Sequence, residues 1–102
     1  MTIVIRGTLP VRADKREEAI AAFIAVSESS EAEAGCQAYR FAEDVREANS
    51  FIITEHWDDE AALAGHFQTP HMAQFSAVVG DLLAGAPEVL KYEVSSFGPL
   101  HG

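Results

Sequence analysis

Cationic side chains are scarce in this chain, which has 7 lysines and arginines against 16 aspartates and glutamates and a formal charge of −9. This excess of negative charge repels phosphate backbones and anionic lipid headgroups, so neither nucleic acid nor a membrane surface is an expected partner. Long hydrophobic runs are also missing. The apolar stretch at residues 3–5 ends at Arg6, which is too short for a signal-peptide core or a membrane span.

Cysteine is limited to a single residue, Cys36, so an intrachain disulfide and a CxxC zinc or redox site are both excluded. Cys36 follows Gly35 at the start of a predicted strand and lies far in sequence from any histidine. It is therefore expected to pack as a small hydrophobic residue and not to act as a nucleophile. The cysteine usage and the missing targeting segment together predict a cytoplasmic protein.

The sequence also lacks the loops and spacings that mark common cofactor sites. It contains no GxGxxG, GxxxxGK[ST] or GxSxG motif, which excludes the usual dinucleotide, P-loop and serine-hydrolase sites. His66 and His71 are five residues apart with Pro70 between them, so neither HxH nor HxxxH metal-ligand spacing occurs. The sequence therefore predicts no metal site.

Length and composition indicate one ordinary globular unit. With 102 residues, of which 48% are hydrophobic and 23% charged, the chain is long enough for one core and too short for two. No repeat or low-complexity linker divides it. We therefore expect a single domain over residues 1–102.

Hydrophobic periodicity predicts an alternation of strands and helices. Asp14 followed by Glu17 predicts the start of the first helix, Gly35 its end, and Thr69 with Pro70 the start of the last helix. A shorter helix is expected to begin at the acidic run 58–60 and to continue to residue 67. The last helix should carry a stripe of His71, Phe75, Val78 and Leu82 and should break near residues 85–87. The predicted strands are 3–9, 36–43, 51–57 and 89–97, and the first helix is 14–34.

This order of elements is typical of an α+β, ferredoxin-like split βαβ domain in which helices cover one face of a four-stranded antiparallel sheet. The strands at 36–43 and 51–57 should form a hairpin. The other sheet face carries apolar side chains and would be open to water over an area that monomers rarely expose. The pattern therefore predicts a homodimer that packs through its sheet faces.

The residues with the clearest chemical potential lie within one short stretch. Alternation along the third strand places Glu55 and Trp57 on the same, inward face, and His66 and His71 follow in the next two helices. If those helices fold over the sheet, all four side chains meet at an apolar cavity of the kind that binds small molecules. His71 lies in the first turn of its helix, where the dipole favours a neutral imidazole that can act as a base.

Each of these residues also has a purely structural interpretation. A single histidine is more often a packing or surface residue than a catalyst, and a tryptophan at a strand end is usually a core anchor. Glu55 could pair with Arg6 or Arg40 across the sheet. The apolar set Phe23, Phe67, Met72 and Phe75 has ordinary core spacing, and it becomes a substrate wall only if a cavity exists.

The segments Glu55-His56-Trp57 and Gly65-His66-Phe67-Gln68-Thr69-Pro70-His71 resemble the E-x-W and A-H-x-x-T-P-H-like signatures of the antibiotic biosynthesis monooxygenase domain. Within that family the similarity is greatest to small bacterial quinol monooxygenases. The opening strand, the entry to the second strand and the closing strand also fall in register with the family. The resemblance extends over most of the chain.

The resemblance implies a dimeric α/β barrel that oxygenates quinols or related small phenolic aromatics with O2 and without metal or flavin. It implies His71 or His66 as the catalytic base, Glu55 as a residue that orients a histidine or water, and Trp57 as a cavity wall and hydrogen-bond donor. The aromatic substrate would lie against Trp57 and four apolar side chains, namely Phe67, Phe75, Met72 and Phe23. No cofactor is expected, and molecular oxygen is the co-substrate.

The resemblance is incomplete, and two alternatives remain. Actinorhodin-type oxygenases have an asparagine and a tyrosine where this chain has Ile53 and Leu63, and the haem-degrading branch needs a histidine near Ser76 that is missing. The family also includes an isomerase of a phosphorylated sugar, so isomerisation of a small keto compound with the same proton-transferring residues is one alternative. The other alternative is a non-catalytic dimeric stress-response module that binds a small aromatic ligand.

Overall fold

The computed structural model describes residues 1–101 and contains four strands and three α-helices in the order that the sequence predicts. The strands are Thr2–Pro10 (β1), Cys36–Glu43 (β2), Ser50–Trp57 (β3) and Glu88–Val94 (β4). The helices are Arg16–Glu31 (α1), Glu60–His66 (α2) and Pro70–Leu82 (α3), with a short 3₁₀ turn at Ala13–Lys15. None of these helices has both the length and the apolar character to cross a bilayer.

All neighbouring strands of the sheet are antiparallel, in the order β2-β3-β1-β4. β2 and β3 form the predicted hairpin, and β1 lies between β3 and β4. The helices pack on one face, where the core forms between α1, α3 and the inward side chains of the strands. The predicted α+β, ferredoxin-like fold is therefore confirmed.

The alternation along β3 gives the sheet its two faces. Phe51, Ile53, Glu55 and Trp57 are buried, and the residues between them are only partly covered. Because successive side chains of a strand point to opposite faces, this pattern places Glu55 and Trp57 together beneath the helices, as predicted.

The first helix is shorter than predicted at both ends. The carboxylate of Asp14 accepts hydrogen bonds from the Arg12 guanidinium, with nitrogen–oxygen distances of 2.8 and 3.2 Å, and so does not cap the helix. At the other end α1 stops at Glu31, and residues 32–35 form a turn. Gly35 has a φ of +86°, so it supplies the left-handed conformation that ends this turn before β2 begins.

The last helix, α3, and the last strand, β4, also end earlier than predicted, because each is limited by its pairing with β1 and the residues just after it. The backbone N–H groups of Arg12 and Ala84 donate to the carbonyls of Leu82 and Pro10, which ends α3 at Leu82 before the predicted break at 85–87. β4 ends at Val94, opposite Thr2 at the start of β1, so residues 95–97 have no strand to pair with. The predicted cap of α3 is confirmed, since the Thr69 side chain accepts from the Met72 N–H.

Candidate active site

A cavity of about 260 Å³ lies between the sheet and α3, as the sequence predicts. Every strand contributes to its floor, and α3 with the residues that flank it forms the roof. Its lining is almost wholly apolar, with the aromatic or thioether side chains Tyr39, Phe41, Phe67, Met72 and Phe75. Such a space suits a small, flat, mostly apolar molecule.

Glu55 and Tyr39 bring the titratable groups to the cavity lining. Burial raises the pKa of the Glu55 carboxyl above its usual value, and the hydrogen bond from Trp57 and the nearby His66 partly oppose that rise. Burial also raises the pKa of the Tyr39 phenol, so Tyr39 stays protonated at neutral pH. Of the two, only the Glu55 carboxylate is therefore suited to accept a proton from a bound molecule.

Trp57 holds Glu55 from behind the cavity wall. Its indole Nε1–H donates to Oε1 of Glu55 over 2.9 Å, and the ring is 0% exposed. The indole packs against Tyr39 and His66, with ring centroids 6.4 and 4.7 Å away. Trp57 was predicted to line the cavity, but its neighbours Tyr39 and Glu55 line it and the fully buried indole does not. The indole donates its hydrogen to Glu55 and not to the space where a substrate would lie.

The two predicted histidines also lie outside the cavity lining. His66 ends α2 and is 1% exposed, and its ring packs behind Trp57. His71 lies in the first turn of α3 and borders a separate shallow groove between α1 and α3. Among the hydrogen bonds of the described residues, Glu55 has none to either histidine. The structure therefore does not bring the Trp57 indole, the two imidazoles and Glu55 together around one bound molecule, although the sequence predicted this.

Glu33 joins the two histidines, and the sequence did not reveal it. Nδ1 of His66 and Nε2 of His71 each lie 2.7 Å from the same oxygen, Oε2 of Glu33. One carboxylate oxygen can accept from both rings only when each of these nitrogens carries a hydrogen, so the contact selects the tautomers. Glu33 lies in the turn after α1, and no spacing in the sequence distinguishes it from the other acidic residues.

Of the four apolar side chains that were predicted to contact the substrate, three line the cavity and one does not. Phe67, Met72 and Phe75 line the cavity as expected. Phe23 does not, because its ring stacks on Phe41 at a centroid distance of 4.1 Å and its edge faces an outer groove between α1 and β2. Phe23 thus supports the wall from behind and would not touch a bound molecule. Glu55 pairs with neither Arg6 nor Arg40, because its hydrogen-bond partner is Trp57 and Arg40 pairs with Glu31.

Comparison with known proteins shows which family the sequence matches. The family model of antibiotic biosynthesis monooxygenases matches residues 2–78. An uncharacterized protein of Synechocystis sp. is 43% identical over 93 residues, which cover 91% of this chain and 63% of that longer protein. This chain thus spans less than two thirds of that relative.

Two further relatives have names that refer to oxygenation. YcnE of Bacillus subtilis, provisionally named a monooxygenase, is 36% identical over 93 residues, which cover 91% of this chain and 98% of YcnE. A crystal structure from Deinococcus radiodurans, provisionally named an antibiotic biosynthesis monooxygenase, has a TM-score of 0.89 at 25% identity. That superposition covers 98% of this chain and 99% of the other.

Proposed function

The chain belongs to the antibiotic biosynthesis monooxygenase family, and we propose that it is a monooxygenase that oxidises a quinol or related small phenolic aromatic with O2. One observation carries the proposal: a buried carboxylate, Glu55, is held by Trp57 at the wall of an otherwise apolar, aromatic cavity. This arrangement suits a molecule with a flat ring and an acidic hydroxyl group. The ring would lie among the aromatic side chains, and its hydroxyl would face Glu55.

Glu55 acts as the general base in this proposal. Its raised pKa makes the carboxylate a stronger proton acceptor than an exposed glutamate, which brings its basicity closer to that of a phenolic substrate. The hydrogen bond from Trp57 keeps Oε1 in place, so the other oxygen, Oε2, is available to the substrate. The sequence predicts His66 or His71 as the base, but neither lines the cavity, and Glu55 takes this role in their place.

The oxygenation needs no further electron donor, because the substrate supplies the electrons. After Glu55 removes a phenolic proton, the electron-rich anion reduces O2, and a bond forms between a ring carbon and oxygen. The O–O bond of this hydroperoxide then breaks with loss of water and leaves a carbonyl on the ring. One quinol and one O2 thus give one hydroxyquinone and one water. The protein's contribution is to deprotonate the substrate, to orient it and to exclude water.

Oxygen uptake with a series of reduced benzoquinones and naphthoquinones tests the proposal. Glu55→Gln keeps the acceptor for the Trp57 N–H but removes the base, so kcat/KM should fall by about 10²–10⁴-fold. Glu47→Gln, on the exposed hairpin turn, is the matched control and should behave as the unaltered protein. Each rate is corrected for autoxidation without protein.

Four outcomes would contradict the proposal. Equal rates for Glu55→Gln and the unaltered protein would remove Glu55 as the base, and a loss seen only in His71→Ala would return that role to a histidine. Product formed under strict anaerobiosis would indicate the isomerase chemistry. Saturable binding without turnover, with or without O2, would leave the protein as a binding module.

We also propose that the protein works as a homodimer joined through the outer sheet face. Leu90, Tyr92 and Phe97 are 47, 44 and 63% exposed. Tyr92 lies beside Val4 and His56 in the strand register, so the patch is continuous across β4, β1 and β3. Light scattering after gel filtration should give twice the chain mass of 11.0 kDa. Tyr92→Glu should give a folded monomer, and a monomeric unaltered protein would refute the proposal.

A further inference from the structure

Glu33, His66 and His71 form a compact cluster outside the cavity. They come from three separate segments: the turn after α1, the end of α2 and the first turn of α3. One potential ligand atom from each residue lies within 4.8 Å of the other two. We propose that these three side chains bind one divalent first-row transition-metal ion of the Zn²⁺ type, a site distinct from the cavity of the proposed oxygenation.

The chemistry of the three side chains selects the class of ion. Two imidazole nitrogens and one carboxylate oxygen are typical ligands of Zn²⁺ and its neighbours, whereas Mg²⁺ and Ca²⁺ prefer oxygen ligands alone. A set of three protein ligands leaves one tetrahedral position for water. The net charge of −9 also favours a cation over an anion at the surface of this chain.

Ion binding requires the hydrogen on each of the two ring nitrogens that contact Glu33 to be lost or moved to the other nitrogen of its ring, and it requires a small change in distance. Nδ1 of His66 and Nε2 of His71 are each 2.7 Å from Oε2 of Glu33. Ligand atoms about 2.0–2.2 Å from a tetrahedral Zn²⁺ lie about 3.3–3.6 Å apart, so each contact must lengthen by roughly 0.6–0.9 Å. His71 can make this movement because its side chain is 21% exposed, and the same exposure gives an ion access from solvent.

The surroundings hold His66 in place. The His66 ring packs against Trp57 and Tyr39, with centroids 4.7 and 5.5 Å away. Its backbone carbonyl accepts from the Thr69 hydroxyl over 2.7 Å, which links the end of α2 to the cap of α3. Such fixed ligands lose little conformational freedom on binding. An ion here would therefore join α2, α3 and the turn after α1 and stabilise the folded chain.

The site is tested by calorimetric titration with Zn²⁺. The protein is first treated with a chelator and its fold is then checked. We expect one Zn²⁺ per chain, a higher melting temperature with Zn²⁺, and an intense visible absorption band with Co²⁺ that reports four-coordinate binding. His71→Gln and Glu33→Gln should each raise Kd at least tenfold and abolish the Co²⁺ band. His101→Gln, which alters an exposed histidine near the end of the chain, should leave all three measurements unchanged.

The proposal is overturned if the unaltered protein shows no saturable Zn²⁺ binding. It is also overturned if His71→Gln binds as tightly as the unaltered protein, or if His101→Gln weakens binding equally. Circular dichroism of each variant establishes that a loss of binding is not a loss of fold. Because binding is measured without substrate, its result does not depend on the oxygenation proposal.

Discussion

Replacement of Gly35 by alanine is expected to destabilise the fold by about 2–5 kcal/mol. Gly35 has a φ of +86°, and an L-residue in the left-handed region costs about 1–2 kcal/mol. In addition, an added Cβ would lie 2.6 Å from the Cβ of Ala62 on α2. Relief of that overlap requires α2 to move, and overpacking of this kind costs about 1–3 kcal/mol.

Thermal and urea denaturation followed by circular dichroism measure this effect. For a domain of this size about 1 kcal/mol corresponds to roughly 4–8 °C, so the melting temperature should fall by at least about 8 °C. Gly65→Ala is the matched control. Gly65 lies within α2 with no atom within 4 Å of an added Cβ, so alanine there should stabilise the protein by about 0.5–1 kcal/mol.

A double-mutant cycle separates the overlap from the backbone strain. Ala62→Gly alone should cost about 1 kcal/mol, because glycine is a poor helix former. Combined with Gly35→Ala it removes the overlapping Cβ, so the pair should be about 1–3 kcal/mol more stable than the two separate effects predict. A Gly35→Ala protein within about 0.5 kcal/mol of the unaltered one, or a cycle without coupling, would refute the reasoning.

Three other predictions follow from the same region. Glu33→Ala leaves the buried Nδ1–H of His66 without an acceptor, so the free energy of unfolding measured with urea should fall by about 2–4 kcal/mol. Glu17→Ala, at an exposed position, is the control and should change it by less than about 0.5 kcal/mol. Trp57→Phe removes the hydrogen bond that lowers the pKa of Glu55, so that pKa should rise and the acid limb of kcat/KM should move to higher pH; an unmoved limb would contradict this. Burial raises the pKa of the Cys36 thiol to about 11, so Cys36 should react with a disulfide reagent far more slowly at pH 7.5 than a model thiol, and equal rates would contradict this.

Short sequence patterns predicted the structure correctly wherever neighbouring residues determine the backbone conformation. Thr69 followed by Pro70 predicted the start of α3, and alternation along β3 predicted that Glu55 and Trp57 share the buried face. Both features depend on φ, ψ and hydrogen bonds within a few residues. The same kind of signal failed at Asp14, where a competing partner, Arg12, takes the carboxylate that would have capped α1.

The sequence by itself therefore determined the order of the elements, their faces and the presence of a cavity between sheet and helices. Only the tertiary structure decided which side chains reach that cavity. Trp57 lies behind its wall because β2 and α2 cover the end of β3, and Glu33 meets His66 and His71 from 33 and 38 residues away. Periodicity describes the face of one element, whereas these contacts depend on how separate elements are placed, which is set by packing of the whole core.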